Sequence, residues 1–310
     1  MASSHKPELS VSVIVPARNP GEDARELVEC LERQTIPRER FEVVIGDDGS
    51  SDGGTEGLAT TDGWVRVSSG PPTNSYAARN RAVRASLAPI LAFCDADCRP
   101  DPEWLERGLG ALEKTDVAAG FIRFIVPEKR TVWALIDMDG SKDHEREILD
   151  SNAETANLFL RRELFERVGG FDDAITEHGD FDFVERCVAA GARLMFAREA
   201  VVSHPVRTRA RGVLRAHWIY CRGYAERATR AGKLPEGLKL RNWVPLIQPI
   251  RARRRYGKSI FGPDRRWLAE HGVYPTLPEK LLSLPIMYIL LPYTRGVAQL
   301  RGWWAGRQLR

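Results

Sequence analysis

"FEVVIGDDGSSDGG", Phe41 to Gly54, joins a short apolar run to a loop of aspartate, serine and glycine. The run from Phe41 to Ile45 has the composition of a buried strand, and the Asp, Ser and Gly residues after it satisfy their own backbone in a turn. The same grammar recurs on either side. Upstream, "LSVSVIVP", Leu9 to Pro16, reads as a strand bounded by proline, and a helical pattern with Leu27, Val28 and Leu31 follows, closed by "RQTIP". Downstream, "WVRVSS" reads as a strand, "SYAARNRAVRASL" as a helix and "PILAFCD" as another strand. Strands alternating with helices at this spacing predict an α/β fold with a mostly parallel sheet and helices on both faces. Ligands bind such sheets beyond the carboxyl ends of the strands, which is where Asp47, Asp48, Asp95 and Asp97 fall.

With 310 residues, 43% of them hydrophobic, the chain has core enough for one large domain or one domain plus an appendage, which excludes a disordered polypeptide. Its five cysteines are odd in number and lack paired spacing, and the first residues lack the apolar core of a signal peptide, so the expectation is a reduced, cytoplasmic protein. Charge divides the chain. Residues 205 to 310 carry 22 Lys and Arg against 5 Asp and Glu, net +17, whereas residues 1 to 204 carry 24 against 37, net −13. This predicts an acidic domain over 1–204 that can hold cations, and a basic, mainly helical region over 205–310 that can face anions.

Between these landmarks, "EWLERGLGALEK" predicts a helix with Leu105, Leu109 and Leu112 inward, and "DVAAGFIRFIV" a strand. Thr131 to Asp150 reads as a helix or a mobile loop. From Asn157 the pattern predicts a helix ending at Gly169, a Gly-Gly turn, an acidic loop, an amphipathic helix from about Asp180 to Ala190, and two short strands.

"ILAFCDADCRPD", Ile90 to Asp101, ends an apolar run in two carboxylates. In an extended chain Asp95 and Asp97 leave on one face, so both can reach a single cation, or a cation and a ribose. Oxygen ligands suit Mg2+ or Mn2+, and such an ion on a diphosphate neutralises the charge that appears as the diphosphate departs. By itself an Asp-x-Asp is equally an acidic turn after a strand. Cys94 and Cys98 form a single close pair where a structural zinc needs four ligands, so they read as small buried thiols.

In order along the first two thirds of the chain, "SVIVPARN", "EVVIGDDGSSDGG", "AARNRAV", "LAFCDADCRPDPEWL", "GGFDD", "HGDFDFVERCVAAG" and "VVSHP" resemble the family 2 glycosyltransferases, enzymes of the GT-A fold that move a sugar from a nucleotide diphosphate to an acceptor hydroxyl. The C-terminal third lies outside the resemblance. The resemblance implies that Asp48 contacts the nucleotide base, usually uracil, with Pro16, Ala17 and Arg18 lining the same pocket, while Asp47 is free to cap the turn. It implies that Arg79 lies near the diphosphate, that Asp97 is the principal metal ligand, that Asp95 binds ribose or metal, and that His204 is a third metal position. From the residues alone, Arg79 reads equally as a solvated arginine and His204 as a capped or exposed histidine. The acceptor hydroxyl needs a general base. Asp180 matches the aspartate of the family's Glu-Asp base motif, although at a helix start it also reads as an N-cap. Gly179 stands where the motif has glutamate, which brings Glu177 and Asp182 into consideration. Gly170, Phe171 and Asp172 resemble the loop that shapes the acceptor pocket.

The basic third contains no apolar stretch of the roughly 20 residues that a bilayer span requires. Its longest, "LLSLPIMYILLPY", has 13 residues interrupted by Pro285 and Pro292, and Trp303 and Trp304 follow among arginines. With "RARRRYGK", Arg251 to Lys258, this predicts either a peripheral element on an anionic membrane, serving a lipid-linked or membrane-proximal acceptor, or a helical hairpin packed internally or in a homodimer. No nucleic-acid-binding motif is present. The expectation is a metal-dependent, inverting transferase with a nucleotide-diphospho-sugar donor, most simply a UDP-sugar. Two rivals stand beside it. A sugar-1-phosphate nucleotidyltransferase calls for a Gly-rich phosphate loop, which "PARNPGED" is not, and a non-catalytic membrane-associated nucleotide-sugar binder is at odds with the intact Asp-x-Asp and His204.

Overall fold

The apolar runs form one eight-stranded sheet in the computed structural model, which describes residues 9–139, 148, 151–235, 238 and 272–308. Strands β1 (Val11–Ala17), β2 (Phe41–Asp47), β3 (Val65–Ser69) and β4 (Ile90–Cys94) pair in parallel in the order β3-β2-β1-β4, with Val11 opposite both Phe41 and Ile90. All of β2 is buried, the pattern of a parallel strand covered on both faces. Val11, Val13 and Val15 point into one core with Leu27 and Leu31 of α1 (Asp23–Leu31) and Leu105 of α3 (Trp104–Leu112). Ile14 and Val44 point into the other, against Ala82 and Val83 of α2 (Ser75–Ala85). Helix α2 lies so close to β2 that a Cβ on Gly46 would strike the carbonyl of Ala78.

The other half of the sheet differs from the expected parallel arrangement. Asn157 does not begin a helix. It begins strand β7 (Asn157–Arg161), antiparallel to β4 with Asn157 opposite Cys94, and only then comes the short helix α5 (Arg162–Arg167). Burial explains the difference, since Asn157 through Leu160 are all enclosed and the sheet interior outweighs local helix propensity. Strand β6 (Val117–Ile125) pairs antiparallel with β7, and the two short strands expected near the end of this region are one, β8 (Leu194–Pro205). β8 pairs antiparallel with the two-residue β5 (Arg99–Pro100), Ser203 lying opposite Arg99. Helix α6 (Gly179–Ala189) packs Phe183, Val184 and Cys187 into the second core.

The chain divides into two compact units, Met1–Arg123 with Asp143–His204, and Phe124–Lys142 with Pro205–Arg310. Residues 124–142, read from charge as part of the first 204, therefore belong to the second unit. There α4 (Val132–Asp139) forms the start of the segment read as helix or loop, and Ala134, Leu135 and Met138 bury against Val206 and Val273. The remainder of that segment apart from Ile148 and the basic run Arg251–Lys258 lie outside the described residues. The apolar stretch interrupted by Pro285 and Pro292 is helical throughout, as α8 (Leu277–Pro285), a π-helical turn Ile286–Leu290 and α9 (Leu291–Gln308). Within the widened turn the Leu291 N–H reaches the Ile286 carbonyl, easing the chain into Pro292, which has no N–H to give. α9 packs on α7 (Ala210–Arg230) through small residues: a Cβ on Gly302 would lie 3.0 Å from Ala225 Cβ, and one on Gly306 2.9 Å from Thr229 Cβ. Among the described residues no helix is long and apolar enough to cross a membrane.

One buried amide closes the antiparallel half. Asn157 Oδ1 accepts from Trp104 Nε1 at 2.9 Å, and its Nδ2 donates to the carbonyls of Ala200 at 2.8 Å and Phe121 at 3.0 Å. Asn157→Leu leaves these groups without their partner, at about 1–3 kcal/mol for each buried group stranded. Urea denaturation should show a loss of unfolding free energy of at least about 3 kcal/mol, the lower end of that cost for three groups, and an unchanged midpoint contradicts the role assigned to this amide.

Candidate active site

The carboxyl ends of β1 and β2 meet in a laced pair of loops. Asp47 Oδ1 accepts the Ser50 N–H at 3.0 Å and closes the turn, while Asn19, in the left-handed region at φ 50°, accepts from Ser51 N–H at 2.8 Å. Asp48 is buried. Its N–H donates to the Ala17 carbonyl at 2.8 Å, its Oδ1 accepts the Thr73 N–H at 2.8 Å, and Arg18 and Arg81 stand 3.6 and 3.9 Å from its two oxygens. Ala17 is buried, Pro16 half-buried and Arg18 exposed, so Pro16, Ala17, Arg18 and Asp48 are brought together around one strand end. Arg81, which the motif reading missed, anchors the arrangement by donating to the Asp47 carbonyl at 2.6 Å.

Asp95 and Asp97 do not sit in an extended chain as expected. Asp95 opens a tight turn and Asp97 is its third residue, the turn closing with the Cys98 N–H on the Asp95 carbonyl at 3.0 Å, and the two side chains take different partners. Asp95 turns to Arg79, whose Nη2 donates to its Oδ1. Arg79 is buried at 4% exposure and is not the solvated helix arginine that its spacing also allowed. Its Nε is enclosed without a hydrogen-bond partner among the described residues, and its guanidinium lies 5.6 Å from the Tyr76 ring centre. Asp97 turns instead to His204 at the end of β8, Oδ2 to Nε2 3.4 Å. Burial pushes the Asp97 carboxyl above its ordinary range, His204 pulls it down, and the carboxylates of Asp95 and Asp23 push it further up. Part of the side chain still reaches solvent. Cys94 and Cys98 are both fully buried in the core. Among the described residues no three His, Cys, Asp or Glu side chains are grouped to hold a metal.

Asp180 lies in the first turn of α6, but the N-cap is His178, in the left-handed region at φ 60°, and not Asp180. Asp180 Oδ1 accepts its neighbour's Phe181 N–H at 3.0 Å and faces the Tyr76 hydroxyl at 3.5 Å. Burial, with the Asp180 charge second, holds the Tyr76 phenol well above its usual range, so it stays protonated and can donate. Gly179 has a steric reason: a Cβ there would lie 2.8 Å from the Tyr76 ring. Glu177 is half-buried just ahead of the helix, and Asp182 pairs with Arg186 at 2.9 Å.

The loop from Gly169 to His178 is pinned from beneath. Gly169 and Gly170 take φ +81° and +68°, a turn that only glycine enters easily. Phe171, expected to line an acceptor pocket, is instead buried among Phe93, Phe165, Phe183 and Tyr76, because the turn drives its ring into the core. Asp172 is exposed and caps the Ala174 N–H at 2.9 Å. Asn80, buried on α2, holds both sides of Phe171, donating to its carbonyl at 2.8 Å and accepting its N–H at 3.0 Å. Asn80 and Tyr76 escaped the motif reading, and the one signal for them is that "SYAARNRAV" carries polar residues on what proves to be its buried face.

Contacts therefore run without interruption from Asp180 through Tyr76 and Arg79 to Asp95, and one turn on lie Asp97 and His204. The chain is 34% identical over 205 residues to the glycosyltransferase AglE of Haloferax volcanii, covering 64% of this chain and 67% of that protein. Its fold matches a mannosyltransferase of Pyrobaculum calidifontis, solved with GDP-Man and Mn2+, at a TM-score of 0.58 and 19% identity, over 98% of this chain and 88% of that one. It also matches S. aureus TarS residues 1-349 solved with UDP-GlcNAc, at a TM-score of 0.53 and 17% identity, over 97% and 93%. Residues 12–169 match the profile of glycosyl transferase family 2, and the chain belongs to that family, a glycosyltransferase with the GT-A fold.

Proposed function

We propose that this enzyme moves a hexosyl group from a UDP-sugar to an acceptor hydroxyl with inversion, that a divalent cation, Mn2+ or Mg2+, assists it, and that Asp180 is the general base. The observation that carries the reading is the chain of contacts from Asp180 through Tyr76 and Arg79 to Asp95, with the Asp97–His204 pair two residues further along the same loop. A base at one end and a cation-seeking pair at the other are what a single displacement at a sugar carbon needs.

The donor end supports a uracil base. Asp48 Oδ1 is already occupied by the Thr73 N–H, which leaves one oxygen edge for an incoming donor. Uracil offers a single N–H between two carbonyls, and Arg18 can answer a carbonyl. Guanine offers two adjacent donors and would compete with Thr73. Solved relatives of the fold hold GDP-Man in one case and UDP-GlcNAc in another, which supports the donor class. The guanidinium charge of Arg79, held beside Asp95 through Nη2, suits an anionic diphosphate near that turn better than any neutral group.

For the cation, Asp97 supplies a carboxylate and His204 an imidazole, while Asp95 is held by Arg79. Two protein ligands are enough where the remaining positions belong to substrate phosphates and water. Bound there, the ion would neutralise the departing diphosphate. The crowding of Asp97 by Asp95 and Asp23 supports the assignment, since a nearby positive charge relieves it. Asp180 takes the acceptor proton in this scheme, and the Tyr76 hydroxyl holds the carboxylate in place. Asp182 is occupied by Arg186, and Glu177, just ahead of the helix, is the alternative base.

The test is a thermal-shift panel of nucleotide-sugars with and without Mn2+. A UDP-hexose at a hundred times its dissociation constant adds about 2.7 kcal/mol, and Mn2+ should enlarge the shift. A larger response to GDP-sugars would reject the uracil assignment. Asp97→Asn is expected to abolish turnover and the Mn2+-dependent part of donor binding, so full activity in that variant would remove the cation from these residues. Asp180→Asn should leave donor binding unchanged and slow turnover by ~10²-fold or more, and a normal rate would move the base to Glu177. Gly179→Glu, which restores the family's pairing, should destabilise the fold by about 1–3 kcal/mol through overpacking against Tyr76, as read from its melting midpoint.

A further inference from the structure

Helix α9 is built inside out. Its buried face is made of Gly296, Ala298, Gly302 and Gly306 with Gln299, whereas Tyr293, Leu300 and Trp304 face solvent and Leu291, Val297 and Trp303 are half-buried. Leu277, Leu281, Ile289, Tyr293, Leu300 and Trp304 are exposed by between 44% and 69% along the continuous helical stretch from α8 to α9. At 3.6 residues per turn, Tyr293, Leu300 and Trp304 fall within about 40° of one another, on the side opposite Gly302. Leu277 and Leu281, and Ile289 and Tyr293, are each four residues apart, so the row continues towards the amino end.

This row is flanked by one sign of charge. Residues 272–308 contain Lys280, Arg295, Arg301 and Arg307 against the single acid Glu279, and Glu279 is held by Arg130 at 2.8 and 2.9 Å. Arg301 and Arg307 are exposed beside the row, with Arg307 over the Trp303 ring at 5.0 Å, whereas Arg295 turns to the Cys221 thiol of α7. We propose that the exposed face of α8 and α9 adsorbs to an anionic lipid surface, the apolar row entering the headgroup boundary and the arginines meeting lipid phosphates. Leucine, isoleucine and aromatic side chains beside arginine match that boundary in both polarity and charge. Charge selects lipid over a second copy of this chain, because a two-fold pairing on this face would set Arg301 and Arg307 against arginines of the same strip. The helix lies on the surface, since no described helix can cross a bilayer.

Flotation of the full chain with vesicles tests this and needs neither donor nor acceptor, so its outcome is independent of the sugar-transfer reading. The chain should float with phosphatidylcholine vesicles containing about one third phosphatidylglycerol, weakly with pure phosphatidylcholine, and less as salt rises. The double variant L300S/W304S should partition about ten-fold less or worse, with an unchanged circular dichroism spectrum and melting midpoint because both side chains are exposed. R301Q/R307Q should lower binding to anionic vesicles towards the neutral level. Absence of the natural chain from both vesicle fractions overturns the proposal. So does flotation that survives both double variants, which would place adsorption elsewhere in the basic third. A dimer in sedimentation velocity that L300S/W304S converts to monomer, without vesicle binding, also overturns it in favour of a second copy.

Discussion

The antiparallel half of the sheet depends on the buried Asn157 amide. A side-chain amide enclosed in apolar surroundings is tolerable only when its hydrogen bonds are made. Three are, and they tie strand β7 to helix α3, to the Phe121 carbonyl on β6 and to the Ala200 carbonyl on β8. Gly120 gives the amide its room, since a Cβ there would collide with Asn157 Nδ2. Directional bonds of this kind set the register of neighbouring strands, which apolar contact alone leaves free to slide. The consequence reaches the active site. β8 is held at Ala200, and four residues further along the same strand His204 meets Asp97.

On the opposite face, buried charge does similar work. Arg79 reaches from α2 to the loop after β4, and Arg81, one turn-edge further on the same helix, reaches the loop after β2. One helix thus fixes the spacing of the two acidic loops. The N-cap of that helix, Asn74, accepts the N–H groups of Tyr76 and Ala77 at 3.0 and 2.9 Å and donates to the Asp173 carbonyl at 2.8 Å, so the helix start is also bound to the acceptor-side loop. Breaking a buried ion pair strands a charge and is costly, whereas an exposed pair contributes little. Arg79–Asp95, with the guanidinium enclosed, is of the first kind. Arg107–Glu103, both about half exposed on α3, is of the second.

What could be read from sequence is what local chemistry decides. The strands before Asp47 and Asp95 announce themselves by β-branched runs that stop at acidic turns, and the parallel half of the sheet follows from their alternation with helices. The residues that failed to announce themselves answer to partners distant in sequence. Asn157 to Leu160 favour helix locally and become strand because β4 and β6 supply partners on either side. Asp180 has the composition of an N-cap, yet His178 takes that place in a left-handed conformation, and Gly179 beside it leaves space for the Tyr76 ring. Phe171 sits in a motif associated with an acceptor pocket, and its ring belongs to a core cluster that only the folded chain assembles. Asp97 and His204, 107 positions apart, were paired by family resemblance, since no spacing rule links them.

The C-terminal helices show the same limit from the other side. Periodicity assumes that the large apolar residues of a helix face the protein, and in α9 Tyr293, Leu300 and Trp304 do not. Glycine and alanine take the inner face because α7 approaches closely enough for backbone contact, and a side chain at Gly302 or Gly306 would push the helices apart. Close packing through small residues gains van der Waals contact without using up apolar side chains, the mode of association found where the surroundings are themselves apolar. In water that arrangement leaves leucine, tyrosine and tryptophan outward at the full cost of their hydration. A helix that contributes its small residues to its neighbour and these large ones to the outside is therefore suited to a second, apolar environment on its outer side. The prolines agree with this. Pro292, which would end a helix in isolation, is accommodated by a π-turn, so the outward row continues past it along one helical stretch from Leu277 to Gln308.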